Sequence, residues 1–228
     1  LGLADGNHMR RDMEEAARLA SLDFKVDFLV NSRAQVVDVY AGDFVKEHRA
    51  GLAKARQIWM TKMAPADIYV LYPGEGAEKH LSSSFFIRIE GADLGVKDDG
   101  IIIMALSGTG GWASSEARTP GMHSMAGTEG LFKEGTEAIT RAMVRRDGNV
   151  RTLSMLFTAR RVLERRRVWL VSDGMKAQEA KDFGFEYCAS RFEDALKRAL
   201  NDRGRDARAA VNIVQYPVAW RAMPWREG

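Results

Sequence analysis

The sequence has little of what staples or anchors a chain. One cysteine, Cys188, stands among 228 residues, so no disulfide framework is available. The four histidines, His8, His48, His80 and His123, contain no pair at a metal-ligand spacing, which excludes a self-contained zinc site by pattern. No apolar run approaches the roughly 18 residues of a membrane span. The amino end lacks the charged-then-apolar pattern of a secretory signal. Charge of one sign is lacking too: 34 Lys+Arg against 31 Asp+Glu leave +3, too little to argue for nucleic acid. A Ser-His-Asp pattern, a nucleophile elbow and a P-loop are all absent. The lone thiol and the missing export signal lead to an expected cytoplasmic location, with no membrane and no nucleic-acid partner.

What is present is apolar material for a core. Hydrophobic residues make up 46% of the chain, and burial of roughly 70% of the unfolded surface is expected at this size. The length suits one large or two small domains. Opening at Leu1, inside what reads as a loop, points to a part of a longer protein. Arg11 to Ala20 reads as a helix with Met13, Ala16, Ala17 and Ala20 on one face and Asn7 as its cap. Lys25–Val30 and Gln35–Tyr40 alternate as the strands of a hairpin. Phe44 to Met63 reads as one long helix with Val45, His48, Leu52, Ala55 and Trp59 near one stripe, stopped by Ala64-Pro65.

Beyond Pro65 the pattern changes. Asp67–Tyr72, Gly100–Leu106, Arg167–Ser172 and Ala209–Gln215 are nearly continuous apolar runs, as expected of parallel strands covered on both faces. Helical stretches fall between them, at about 81–94, 128–145, 154–166, 177–183 and 191–203. The expected fold is α/β: a mainly parallel, three-layer sheet domain, preceded by a helix, hairpin and long helix from the end of a catalytic domain. The expected boundaries are residues 1–43 for that tail, 44–64 for a linking helix and 65–228 for the α/β domain.

Two turns leave strands at what should be one edge. Gly108, Gly110 and Ala113 match a dinucleotide fingerprint in Ser107–Ala113, although Thr119-Pro120-Gly121 interrupts the helix it requires. The other reading is a Gly-rich loop at a strand's carboxyl end, where open α/β sheets bind ligands. Tyr72-Pro73-Gly74 leads to Lys79-His80-Leu81-Ser82-Ser83-Ser84, whose serines could cap a helix or help hold an anion. Arg88, one turn beyond Ser84, has the fork to pair a carboxylate or simply faces water. His80 beside this segment is a candidate proton carrier, whereas His48 reads as a satisfied core residue. The basic run Arg160–Arg167 lacks interleaved aromatics and reads as a solvated helix face rather than a nucleic-acid surface.

Several segments taken in order resemble the nickel-pincer-nucleotide lactate racemase (LarA-like) family. They are Gly6–Ala17 with its Gly-Asn helix start, Val36–Asp43 with an Ala-Gly-Asp turn, His48–Gly51, Pro65–Val70, Tyr72-Pro73, Val96–Gly100 and Val171–Gly174. The resemblance covers nearly the whole chain. It implies the carboxyl-terminal portion of a 2-hydroxy-acid racemase or epimerase. In that family a hydride passes to a nicotinamide-derived ring carrying nickel and returns to the opposite face of the substrate carbon.

The resemblance also implies that the cofactor tether, the nickel-binding histidine and the acid/base histidines belong to an amino-terminal catalytic domain, absent here. The nickel pincer nucleotide is therefore expected on the intact protein and not on this piece, which would be inactive alone and has no metal ligands of its own. His8 falls in the helix-start motif and is not the nickel ligand. The portion seen here closes over the substrate. Tyr72, His80, Ser83, Ser84 and Arg88 are the expected substrate-binding residues, and Gly108, Gly110 and Gly111 the cofactor-facing loop. Ser83 and Ser84 fall nearest the family's Tyr-Gln pair and Arg88 nearest its Lys. That difference favours a larger or more acidic hydroxy acid than lactate. The competing expectation is a nucleotide-binding or interaction module without catalysis.

Overall fold

The computed structural model describes residues 4–31, 33, 35–74, 78–82, 88–112, 125, 127–204, 209–215 and 223–225. By contact density the chain divides into two compact units. One comprises Leu1–Thr61 with Arg221–Met223, the other Lys62–Trp220 with Pro224–Gly228.

In the first unit, α1 (His8–Leu19) starts at Asn7, whose side chain accepts from the Arg10 amide. Strands β1 (Lys25–Val30) and β2 (Val36–Gly42) pair antiparallel, with Phe28 opposite Val39 and Val26 opposite Ala41. Helix α2 (Lys46–Trp59) follows an Asp43 side chain that accepts from the Val45 and Lys46 amides. The long helix expected to Met63 ends at Trp59, because Met60–Lys62 form a short strand, β3, paired with β9 (Met223–Trp225).

The second unit holds a five-stranded parallel sheet in the order β7-β6-β5-β4-β8, where β4 is Ala66–Tyr72, β5 Val96–Ala105, β6 Arg167–Val171, β7 Tyr187–Ala189 and β8 Val211–Gln215. The expected α/β class and parallel sheet are borne out. Successive residues of each strand point to opposite faces, and both faces are apolar. Tyr69, Leu71, Ile102, Met104, Val168 and Leu170 face one core. Over them lie α3 (Arg88–Gly95), α4 (Glu129–Glu134), α5 (Thr136–Arg145), α6 (Val150–Arg165) and α7 (Ala177–Asp182). Ile68, Val70, Ile101, Ile103, Trp169 and Val171 face the other, covered by Ala195 and Ala199 of α8 (Phe192–Asp202). The helix expected over 128–145 is broken at Gly135, whose φ of +102° no helix accommodates.

The basic run is exposed at Arg161 and Arg165, as a solvated face is, but most of it is also ion-paired. Arg165 and Arg166 both pair with the buried Asp93 of α3, Arg160 binds Glu164 and the Phe183 carbonyl, and Arg167 forks onto Glu186 and Asp202. These ion pairs lace the amino ends of the strands. Asp67 and Asp99 join them there: the Ala210 amide and Lys97 hold the first carboxyl below its usual range, and Arg203 the second.

Candidate functional site

The carboxyl edge of the sheet is built differently, from hydroxyls, backbone and one imidazole. Because β4 and β5 are adjacent and parallel, with Leu71 beside Met104, the turns after Tyr72 and after Ala105 leave the sheet at the same edge. Residues 78–82 then bond to 108–112. The Gly108 amide donates to the Glu78 carbonyl (3.0 Å) and the Gly110 amide to that of Lys79 (2.8 Å). In return the Leu81 amide donates to the Gly111 carbonyl (3.0 Å) and that of Ser82 to Trp112 (2.9 Å).

The loop after β6 joins them. The Ser172 hydroxyl donates to the Ser107 carbonyl at 2.7 Å and accepts from the Gly174 amide, which itself reaches the Ser107 carbonyl at 2.9 Å. Ser107 in turn donates through its hydroxyl to the Glu78 carbonyl (3.1 Å). Three loops from three adjacent strands thus form one rim. Trp112 anchors it: the indole is buried, donates to the Met125 carbonyl and the Thr128 hydroxyl, and stacks on Phe183.

His80 is the titratable side chain that this network orients. Its Nδ1 lies 2.8 Å from the Gly110 carbonyl, which can only accept, so Nδ1 carries the proton and Nε2 is the basic nitrogen of the neutral ring. Glycine at 110 is required by this contact, since a Cβ there would run into the imidazole. Gly108 is held at φ +66°, where its missing Cβ leaves room for Ser172 Oγ, 2.8 Å from the place a Cβ would take.

The sequence-predicted residues fall as follows. Tyr72 ends β4, half-buried; His80, Gly108, Gly110 and Gly111 lie in the rim; Arg88 opens α3. Ser83 and Ser84 lie outside the described residues. Glu78, Ser107 and Ser172 are rim residues that sequence reasoning did not name as site residues, although Ser107 opens the Gly-rich motif and Ser172 lies in the Val171–Gly174 segment. Asn149 and the ion pairs at the other edge have local structural uses.

No protein-family profile matches the chain. A search of curated sequences finds the lactate racemase of Thermoanaerobacterium thermosaccharolyticum, 26% identical over 226 residues, 96% of this chain and 49% of that protein. The chain is similar to lactate racemase. The solved structure of the lactate racemase apoprotein from the same organism superposes with a TM-score of 0.70 at 24% identity, over 93% of this chain and 49% of that one. The family resemblance read from the motifs is borne out, and the match along nearly the whole chain includes both units. The chain spans about half the length of the lactate racemase it matches.

Among the described residues no three His, Cys, Asp or Glu side chains converge to hold a metal. The amides of Gly108, Gly110 and Gly111, which a pyrophosphate would need, already donate to Glu78, Lys79 and Gly108 carbonyls. The described residues do not fit a nickel-bearing nucleotide as its holder. No described helix is long and apolar enough to cross a membrane.

Proposed function

We propose that this chain is the substrate-closing, carboxyl-terminal part of a 2-hydroxy-acid racemase or epimerase. The observation that carries this reading is the zipped rim of 78–82, 107–111 and 172–174 in a chain similar to lactate racemase along almost its whole length. The cofactor that the resemblance implies, with its tether and metal ligands, belongs to the other half, and Gly108, Gly110 and Gly111 form the part of the rim that faces it. The engaged amides of this loop disfavour the alternative of a free-standing nucleotide-binding module.

In this reading each residue of the chain has a limited task. Arg88, whose backbone opens α3, is the residue that the resemblance assigns to the substrate carboxylate. Tyr72, at the carboxyl end of β4, lines the substrate's side chain and sets its size. His80, with Nδ1 fixed by the Gly110 carbonyl, offers Nε2 to the substrate hydroxyl and steadies its proton. The rim itself excludes water from the bond being remade.

The test is chiral chromatography of D- and L-2-hydroxy acids incubated with the intact two-half protein. Interconversion of at least one pair is expected. Arg88→Ala should raise KM by a factor corresponding to about 2–5 kcal/mol if the carboxylate pair is desolvated. Unchanged kinetics for every hydroxy acid tried would remove Arg88 from the site.

A further inference from the structure

Three glycines of the rim leave room for one connected set of groups. A Cβ on Gly108 would come within 2.8 Å of Ser172 Oγ, one on Gly174 within 2.6 Å of the Ser107 carbonyl oxygen, and one on Gly110 would enter the His80 ring. Each space is filled by a hydrogen-bonding group of a neighbouring loop. Ser172 is the most deeply set of these side chains, at 4% exposed, so its hydroxyl bonds stand where water cannot replace them.

Two carbonyls hold the set together, because each takes two donors. The Ser107 carbonyl accepts from the Ser172 hydroxyl (2.7 Å) and the Gly174 amide (2.9 Å). The Glu78 carbonyl accepts from the Ser107 hydroxyl (3.1 Å) and the Gly108 amide (3.0 Å). With both lone pairs of each oxygen engaged, neither peptide turns without losing two bonds. The first of these peptides carries the Gly108 amide, and the second begins the turn that leads to His80. The Gly110 amide then bonds to the Lys79 carbonyl, in the peptide that carries the His80 amide, and the Gly110 carbonyl meets Nδ1 of the ring. A serine suits position 172 because one hydroxyl donates to Ser107 and accepts from the Gly174 amide at once.

We propose that Ser172 is a positioning residue for His80. From the loop after β6 it fixes the Gly-rich loop in the arrangement that keeps the imidazole proton on Nδ1. This rests on the functional reading above, in which His80 meets the substrate hydroxyl, and gives a third strand's loop a share in the proton chemistry of that site.

The experiment uses the full 228-residue chain with its histidines labelled with nitrogen-15, the His80 signal being identified by its loss in His80→Gln. Ser172→Ala should shift His80 toward the Nε2–H tautomer and speed amide exchange at 108–111 by about tenfold, while exchange at 101–104 in the core of β5 stays within about twofold. Ser172→Thr, which keeps the hydroxyl, should restore the tautomer. Gly174→Ala keeps every hydrogen-bonding group but crowds the Ser107 carbonyl, and should shift the tautomer as Ser172→Ala does. Ser154→Ala, at an exposed position of α6, should change none of these. In the intact two-half protein Ser172→Ala should lower kcat by about tenfold and leave KM within about twofold, as loss of a held proton carrier does.

A His80 tautomer unmoved by Ser172→Ala, or not restored by Ser172→Thr, overturns the proposal. So does exchange that rises equally at 101–104 and 108–111, which a serine with a merely structural role would give. A tautomer that follows Ser172 in a chain whose intact protein racemises no hydroxy acid overturns the functional reading and leaves the positioning role standing. Racemisation with a tautomer indifferent to Ser172 does the reverse.

Discussion

The two units of this chain solve the burial problem in opposite ways. In the second, every strand presents apolar side chains to both faces, and large residues such as Ile102, Leu71 and Trp169 are sealed between helices. In the first, carboxylates and guanidinium groups occupy the interior and valines and a phenylalanine face outward. A unit of the first kind has paid the conformational entropy of folding with little hydrophobic return. The difference teaches that compactness and hydrophobic burial are separate properties: the first unit is as clearly delimited by its contacts as the second but buries few apolar side chains among its described residues.

The largest expected contrast is in core truncation. Ile102→Ala should destabilise the second unit by about 2–5 kcal/mol in urea unfolding of the chain alone. Phe28→Ala should cost less than about 0.5 kcal/mol there, as exposed positions do. Equal costs would break the contrast. Next comes Gly110→Ala, which pushes a methyl group into the His80 ring and should destabilise the rim by about 1–3 kcal/mol. Nitrogen-15 NMR should then show His80 losing its Nδ1–H tautomer preference, and an unchanged tautomer would separate the ring from the loop.

The smallest expected effect sharpens the comparison through pH. The Arg10 hydrogen bond, then Arg49, hold the Glu14 carboxyl below its ordinary value of 4.5. A depressed folded-state value contributes stability that is present above that ordinary value and is lost as pH falls through the folded one. Helices α1 and α2 should therefore loosen on acidification, and Glu14→Gln should flatten that dependence. Helical dichroism and amide exchange across the acid range measure it. An acid profile left unchanged by Glu14→Gln would contradict it.

How much of this was legible beforehand depended on what the local pattern encodes. The parallel strands were legible because burial on both faces leaves unbroken apolar runs, and 66–72, 96–105, 167–171 and 211–215 lie close to where those runs stand. Strand β7 was not, since three half-buried residues at an edge carry too short a pattern. The stripe of α1 was legible as a stripe, but periodicity does not say whether an apolar face meets this chain or another. The rim's location followed from strand direction, whereas its construction did not. Backbone bonds between 78–82 and 108–112 join segments some thirty residues apart and leave no side-chain signature. Ser172 stands in the Val171–Gly174 segment, but nothing in that pattern says that its hydroxyl donates to the Ser107 carbonyl.

The most direct measurement of the account is amide exchange in the intact two-half protein, titrated with lactate and with larger or more acidic 2-hydroxy acids. The account predicts slowed exchange at 78–82, 107–111 and 172–174 with the acids that are interconverted, and no change along the ion-paired amino edge at Asp67, Asp99 and Arg167. Turnover of a hydroxy acid with those three segments unaltered would contradict it.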